Sequence, residues 1–207
     1  VFTKRKYDNF LKKKKCKKIS TLDDAINENP KAAIICNETS YHMQTAIQLA
    51  NAGMHIFVEK PLSDSLKDSK KFLEIINKRK LIAHVGNVLH FHPCLIKIKE
   101  IIDGKKIGRI LSVDAENGSY LPDWHPFEDY RKSFAAIENL GGGVVLTCIH
   151  EIDYLYWLFG NISETTSYTQ KNSDLKIPVE DIAEILFLFK NNIIGHIHLD
   201  YFQKPQS

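Results

Sequence analysis

Met54-His55-Ile56-Phe57-Val58-Glu59-Lys60-Pro61-Leu62 decides how this chain is read. Its first part makes a short, mostly apolar strand, which stops on a charged pair and a proline. In an open parallel sheet, ligands bind beyond the carboxyl ends of the strands, so Glu59 and Lys60 are expected to face a crevice. Pro61 lacks a backbone donor and has a fixed φ, which ends the strand and holds Lys60 on a stiff turn. A cis Lys60–Pro61 bond would aim the lysine further. The plainer reading is a surface lysine on a strand-to-helix loop.

Working outward, Ala32–Cys36 is wholly apolar, as expected of a strand buried on both faces. Tyr7–Lys15 predicts a helix. A second opens at Ser20-Thr21-Leu22-Asp23-Asp24, with Ser20 or Thr21 as N-cap, and ends near Asn29-Pro30. Asn37–Ser40 leads into a helix with Met43, Ile47 and Ala50 on one face and Gly53 as its stop. A helix from Ser65 to Arg79 is expected to bury Leu66, Leu73 and Ile76. Leu81–Val85 reads as a strand, and Pro93 starts a helix carrying Leu95, Ile98 and Ile102, stopped by Gly104. Strands alternating with such helices predict βαβ units on a parallel sheet.

After Gly108 the pattern changes. Arg109–Asn117 alternates as a strand, and Gly118–Asn139 is irregular and aromatic. Gly141-Gly142-Gly143 precedes a helix running to Gly160, expected to bury Ile149, Ile152, Tyr156 and Phe159. Strands follow near Thr165–Gln170, Ile182–Phe189 and Ile193–Tyr201, the last two joined by a turn at Lys190-Asn191-Asn192. The fold class is therefore α/β. A parallel-sheet domain over residues 1–105 is followed by an α+β domain with an open, largely antiparallel sheet over residues 106–207.

A chain of 207 residues with 43% hydrophobic content can bury a core, and a net charge of +3 selects no partner. Lys4-Arg5-Lys6, Lys12–Lys15 and Lys17-Lys18 gather the basic excess; without aromatic interleaving they read as a solvated face, not a nucleic-acid site. Cys16, Cys36, Cys94 and Cys148 are too scattered for a disulfide framework or metal knuckle, which suits a reducing cytoplasm; Cys36 and Cys148 are expected to be buried thiols. No apolar run reaches membrane-spanning length. Both ends look abrupt, so the chain is read as a fragment.

His150 opens the helix after the triple glycine, with Asp153, Tyr154 and Trp157 on roughly the same face. The glycines would let a ligand approach the backbone closely. Lys60 and His150 make an acid/base pair: histidine takes a hydroxyl proton, while a lysine cation stabilises the alkoxide and lowers the histidine's pKa. That suits alcohol oxidation with hydride leaving to a nicotinamide. His90 and His92 could line the same crevice. His196, His198 and Asp200 share one strand face and suggest a solvated or interface surface more than a metal site.

These motifs together resemble the Gfo/Idh/MocA oxidoreductase family. The matches are Glu59-Lys60-Pro61-Leu62, Asn37 through His42, Gly86-Asn87 through Phe91-His92-Pro93, Gly108, and Gly141-Gly142-Gly143 through His150-Glu151-Ile152-Asp153 to Trp157-Leu158-Phe159-Gly160. The resemblance implies an NAD(P)-binding Rossmann domain and a substrate and oligomerisation domain, forming a dimer or tetramer through its sheet. It implies Lys60 and His150 as catalytic residues, with Asn37, His42, Glu59 and Asn87 along the cofactor. The expected substrate is a sugar or sugar nucleotide. Trp124 would stack on the sugar, Arg131 and Lys132 would meet a carboxylate or phosphate, and Asp153 would join them; the alternative for the loop from Tyr120 to Lys132 is an ordered interface loop.

The sequence departs from the family in three ways. The glycine-rich GxGxxG turn is absent, so this stretch alone is expected to bind dinucleotide weakly or not at all. Leu146 and Thr147 stand where members carry an aspartate, and His90 replaces an arginine. Thr3 and Arg5 stand where NAD-selective enzymes place an acid, which favours NADP over NAD. The alternative is a non-catalytic, cofactor-binding regulator or scaffold on the same fold.

Overall fold

The computed structural model describes residues 8–205. Val1-Phe2, Thr3 and Arg5 lie outside the described residues. Helix α1 (Asp8–Lys13) precedes α2 (Leu22–Asn27). Thr21 caps α2, its hydroxyl accepting from the Asp24 amide at 3.0 Å, and Asp23 and Asp24 favour the positive end of the helix.

There follow β1 (Ala32–Ile35), α3 (Thr39–Asn51), β2 (His55–Val58), α4 (Ser69–Arg79) and β3 (Ala83–Val85). The strands pair in parallel in the order β1-β2-β3. Ile35, Ile56 and Val58 share one buried cluster with Met43, Ala46, Ile47 and Ala50 of α3 and Phe72 and Ile76 of α4. Each large apolar side chain so buried contributes roughly 1.5–3 kcal/mol.

Two expectations fail here. β1 is not buried on both faces: Ile35 is 3% exposed but Ile34 is 75% exposed. Ile34 pairs with Phe57 and Phe57 with His84, on the sheet face opposite α3 and α4. Nor does α4 bury Leu66 and Leu73. It starts at Ser69, after Asp68 at φ 61, and turns Phe72 and Ile76 inward, one turn apart.

The second sheet is reached through α5 (Pro93–Asp103), with proline in its first turn. β4 (Ser112–Gly118) and α6 (Leu121–Trp124) precede a string of 3-10 turns reaching Leu140. Then come α7 (Val144–Thr147), α8 (His150–Phe159), β5 (Ile162–Gln170), β6 (Ile182–Phe189) and β7 (Ile194–Asp200). The strand order is β4-β7-β6-β5. β5/β6 and β6/β7 are antiparallel and β4/β7 is parallel, so the sheet is mixed. The expected single helix is two, broken at Cys148-Ile149. Leu155 and Leu158 take its buried side, while Tyr156 is exposed.

One face of this sheet buries Ala183, Ile185, Phe187, Phe189, Ile197 and Leu199 with Tyr201 and Val144. The other carries a chain of alternating histidines and carboxylates. His196 Nδ1 lies 2.9 Å from Asp114 and its Nε2 2.8 Å from Glu184. His198 Nδ1 lies 2.7 Å from Glu184 and its Nε2 3.0 Å from Asp200. Each ring has an acceptor at both nitrogens, which an imidazolium satisfies and a neutral ring does not. Among the described residues no group of side chains is arranged to hold a metal ion.

The Glu184 hydrogen bond raises the pKa of His196. Burial alone would lower His198, but its bonds to Glu184 and Asp200 outweigh it. A proton bound more tightly in the folded state stabilises the fold below the unfolded pKa and ceases to do so as pH rises through the folded one. The urea midpoint is therefore expected to fall as pH is raised above 6.5, and a His196→Gln/His198→Gln double variant should lose that part of the slope. The register yields a second expectation. Phe189→Ala should cost about 3–5 kcal/mol in chemical denaturation, and Leu186→Ala, on the open face, less than about 1 kcal/mol; the reverse order would refute the register.

Candidate active site

The carboxyl ends of β1, β2 and β3 place Asn37, Glu59-Lys60 and Gly86-Asn87 along one edge. The Lys60–Pro61 bond is cis. Lys60 Nζ donates to the Thr147 carbonyl at 2.6 Å. Thr147 ends α7, where helix carbonyls lack partners within the helix, so the lysine supplies one. Burial lowers the lysine's pKa, against the opposing influence of Cys148, Glu151 and Glu59.

His150 is the first residue of α8 and is half-buried. Its Nδ1 is shielded from solvent without a hydrogen-bond partner. Burial lowers its pKa first and the Lys60 charge lowers it further, while Asp153 and Glu59 act in the opposite sense. The expected pairing of Lys60 with His150 is thus present as an electrostatic coupling. Glu59 Oε2 accepts from the Lys60 amide at 3.3 Å, and a Cβ at Gly86 would come within 3.3 Å of the same oxygen.

Asn87 and Asp153 engage each other: Asn87 Nδ2 donates to Asp153 Oδ1 at 2.7 Å. Asp153 Oδ2 lies 2.7 Å from His90 Nε2, in close contact but not aligned for a hydrogen bond. The His90 ring stacks on Trp157 with centroids 4.6 Å apart. His92 is exposed, and its Nδ1 caps α5 by accepting from the Cys94 amide at 3.3 Å.

Several expected contacts have other uses. His42 is 1% exposed, with Nδ1 2.8 Å from the Pro61 carbonyl and Nε2 2.9 Å from the Asn37 carbonyl. Neither nitrogen is left for a ligand, so it is a strut between two loops. The Asn37 side chain is exposed and donates to Thr45 Oγ1 at 3.3 Å. Trp124 donates to Ser119 Oγ at 2.8 Å and stands edge-on to Tyr201, packed against the core. The Arg131 guanidinium grips Asp129 with two 2.8 Å bonds, holding that carboxyl at about 2. Lys132 is exposed. Cys36 is exposed too, because it lies past the end of β1; Cys148 is buried as expected.

The triple glycine is packed against protein. A Cβ on Gly141 would sit 2.7 Å from Thr39, one on Gly142 2.7 Å from the Phe134 carbonyl, and one on Gly143 2.2 Å from Glu180. The sequence reading missed Glu151, which is 7% exposed directly after His150. At Thr147, where members of the family carry an aspartate, the backbone carbonyl receives the lysine. A carboxylate beside the helical histidine was the available signal for Glu151.

Comparison with known proteins adds the following. Residues 3–87 match the model of an oxidoreductase family with an NAD-binding Rossmann fold, and residues 95–207 match the GFO/IDH/MocA C-terminal domain. The chain is 30% identical over 177 residues to the uncharacterized oxidoreductase YrbE of Bacillus subtilis, covering 80% of this chain and 47% of that protein. It is 32% identical over 148 residues to scyllo-inositol 2-dehydrogenase (NAD(+)) of the same organism, covering 71% and 40%. The fold is similar to that of the WlbA dehydrogenase from Bordetella pertussis, solved with NADH and UDP-GlcNAcA. The TM-score is 0.85 at 21% identity, covering 96% of this chain and 57% of that one. The chain spans less than half the length of both curated relatives.

Lys60→Met should raise the pH at which His150 titrates, because it removes the largest of the charges that lower it. Imidazole resonances followed by NMR check this, and an unchanged or lower midpoint would contradict the coupling.

Proposed function

The chain belongs to the GFO/IDH/MocA oxidoreductase family, and from that premise we propose that the protein moves a hydride between a nicotinamide dinucleotide and a hydroxyl-bearing carbon of a sugar or sugar nucleotide. The observation that carries this reading is the Lys60–His150 pairing: an ammonium fixed on the Thr147 carbonyl beside an imidazole kept neutral by burial and by that charge.

In the oxidation direction His150 takes the hydroxyl proton, and Lys60 donates a charge-assisted hydrogen bond to the oxygen as negative charge develops. In reduction His150 returns the proton. The nicotinamide, when bound, accepts or delivers the hydride. The shielded, unpartnered Nδ1 of His150 and the space Gly86 leaves beside Glu59 suit its reactive end, with Asn37, Glu59 and Asn87 along the strand edge that would hold it. The absence of an acid at Thr3-Lys4-Arg5 supports NADP over NAD.

The sugar class is supported by what relatives are named for: an inositol dehydrogenase, and a dehydrogenase solved with UDP-GlcNAcA. Association through the second sheet is supported by its open face, where Leu186, Ile194 and Tyr168 are 47%, 55% and 82% exposed. Four free cysteines suit a cytoplasmic setting. The absence of an aspartate at Leu146 and Thr147 supports the rival reading, a cofactor-binding regulator without turnover.

The test uses the full-length protein and follows absorbance of the reduced nicotinamide with NADP, then NAD, against sugars and nucleotide sugars. Lys60→Ala and His150→Ala should each lower kcat by roughly 10²–10⁴-fold while cofactor binding persists. Cofactor binding with no turnover on any substrate of the panel would favour the regulator.

A further inference from the structure

We propose that Glu151 is the carboxylate that holds Lys60 in its ammonium form, a positioning residue that acts through the lysine. Its catalytic meaning rests on the reading of Lys60 given above; its electrostatic content does not.

Glu151 is buried on α8. Asn117 of β4 donates to Oε1 at 3.0 Å, while Oε2 is shielded from solvent without a hydrogen-bond partner. A carboxyl group in that position is costly unless a proton or a cation compensates it. The groups that face it come from several elements. The Cys148 thiol, between α7 and α8, is pushed up to about 12 and stays neutral. The Tyr154 phenol of α8 is pushed up to about 12 and stays neutral as well. Glu59, past the end of β2, acts on the same lysine with the same sign as Glu151. Among the described residues, the cation that acts on Glu151 is Lys60.

The placement is specific. An ammonium has three protons to donate, and Lys60 aims one at the Thr147 carbonyl, four residues before Glu151. The lysine therefore lies over the break between α7 and α8, and Glu151 lies just beyond that break. Burial raises the pKa of Glu151, and the Asn117 bond and the Lys60 charge oppose that; burial lowers the pKa of Lys60, and Glu151 is among the groups that oppose it. With Glu151 ionised, Lys60 keeps the charge that burial opposes and remains a strong donor toward an alkoxide. With Glu151 neutral, burial pushes the lysine toward a free amine. A carboxylate after the histidine would thus supply the negative charge that the family's aspartate would bring before it.

The test needs neither substrate nor cofactor. Full-length protein labelled with ε-¹³C lysine is titrated by NMR, with Lys60 assigned from its missing signal in Lys60→Arg. Glu151→Gln keeps the shape and the Asn117 bond but removes the charge. The proton affinity of Lys60 should then fall by roughly tenfold, whereas Glu151→Asp should stay within about threefold of wild type. An unchanged Lys60 titration in Glu151→Gln overturns the proposal. Equal losses in both variants overturn it too, since they would report packing rather than charge. Should Glu151→Gln not fold, the wild type decides: the Glu151 carboxyl carbon must show a second inflection where Lys60 titrates, and a single step refutes the coupling. A shifted Lys60 titration in a protein that turns over no substrate would count against the proposed reaction while supporting this inference.

Discussion

The hydrogen bond from the Lys60 ammonium to the Thr147 carbonyl joins the two halves of the site. One partner sits at the carboxyl edge of a parallel sheet and the other at the end of a short helix leading out of the triple glycine. A charge-assisted bond of this kind is worth about 1.5–3 kcal/mol, too little to fix two domains by itself. Its effect lies in where it puts the charge. Lys60 can stay under the start of α8 only because the β2 strand ends abruptly and because α7 stops at Thr147 with a carbonyl to offer. Contacts nearby hold the same alignment: Asn87 with Asp153, His90 stacked on Trp157, and Gly141 close against Thr39.

Electrostatics in the site follow from burial more than from any single partner. Lys60 and His150 are both pushed toward neutrality by their surroundings, and Glu151 is pushed toward its protonated form. Nearby negative charges oppose that trend at Lys60, whereas the Lys60 charge adds to it at His150. The far face of the second sheet uses the opposite arrangement, with imidazoles between carboxylates at the surface, where hydrogen bonds win over burial.

Much of this was legible in the order of residues. The strand ending in Glu59-Lys60-Pro61, the N-cap at Thr21, the stop at Gly53 and the turn at Lys190-Asn191-Asn192 are local features, and local chemistry predicts them. Periodicity was less reliable where two faces competed. It chose Leu66 and Leu73 over Phe72, because the left-handed residue at Asp68 that delays the helix leaves no mark in hydrophobic spacing. Partners were harder still. The family resemblance placed Asn87 and Asp153 near the crevice, but that they bind each other depends on how two domains meet. Likewise, nothing local shows that His42 is closed in by two carbonyls, whereas the grip of Asp129 on Arg131, two residues away, was a local signal.

The triple glycine carries a consequence for how this segment can vary over evolutionary time. Its three residues are held small by three unrelated neighbours: a threonine on α3, a carbonyl of the 3-10 string and the carboxylate of Glu180. No single compensating change elsewhere would relieve all three. At Gly142 the obstacle is backbone, which no side-chain loss removes, and at Gly141 and Gly143 a φ of 80° and 109° strains any side chain whatever the space. The segment is therefore insulated from gradual drift, and so is the part of the preceding loop that packs on it, where Ala135 and Ala136 are fully buried.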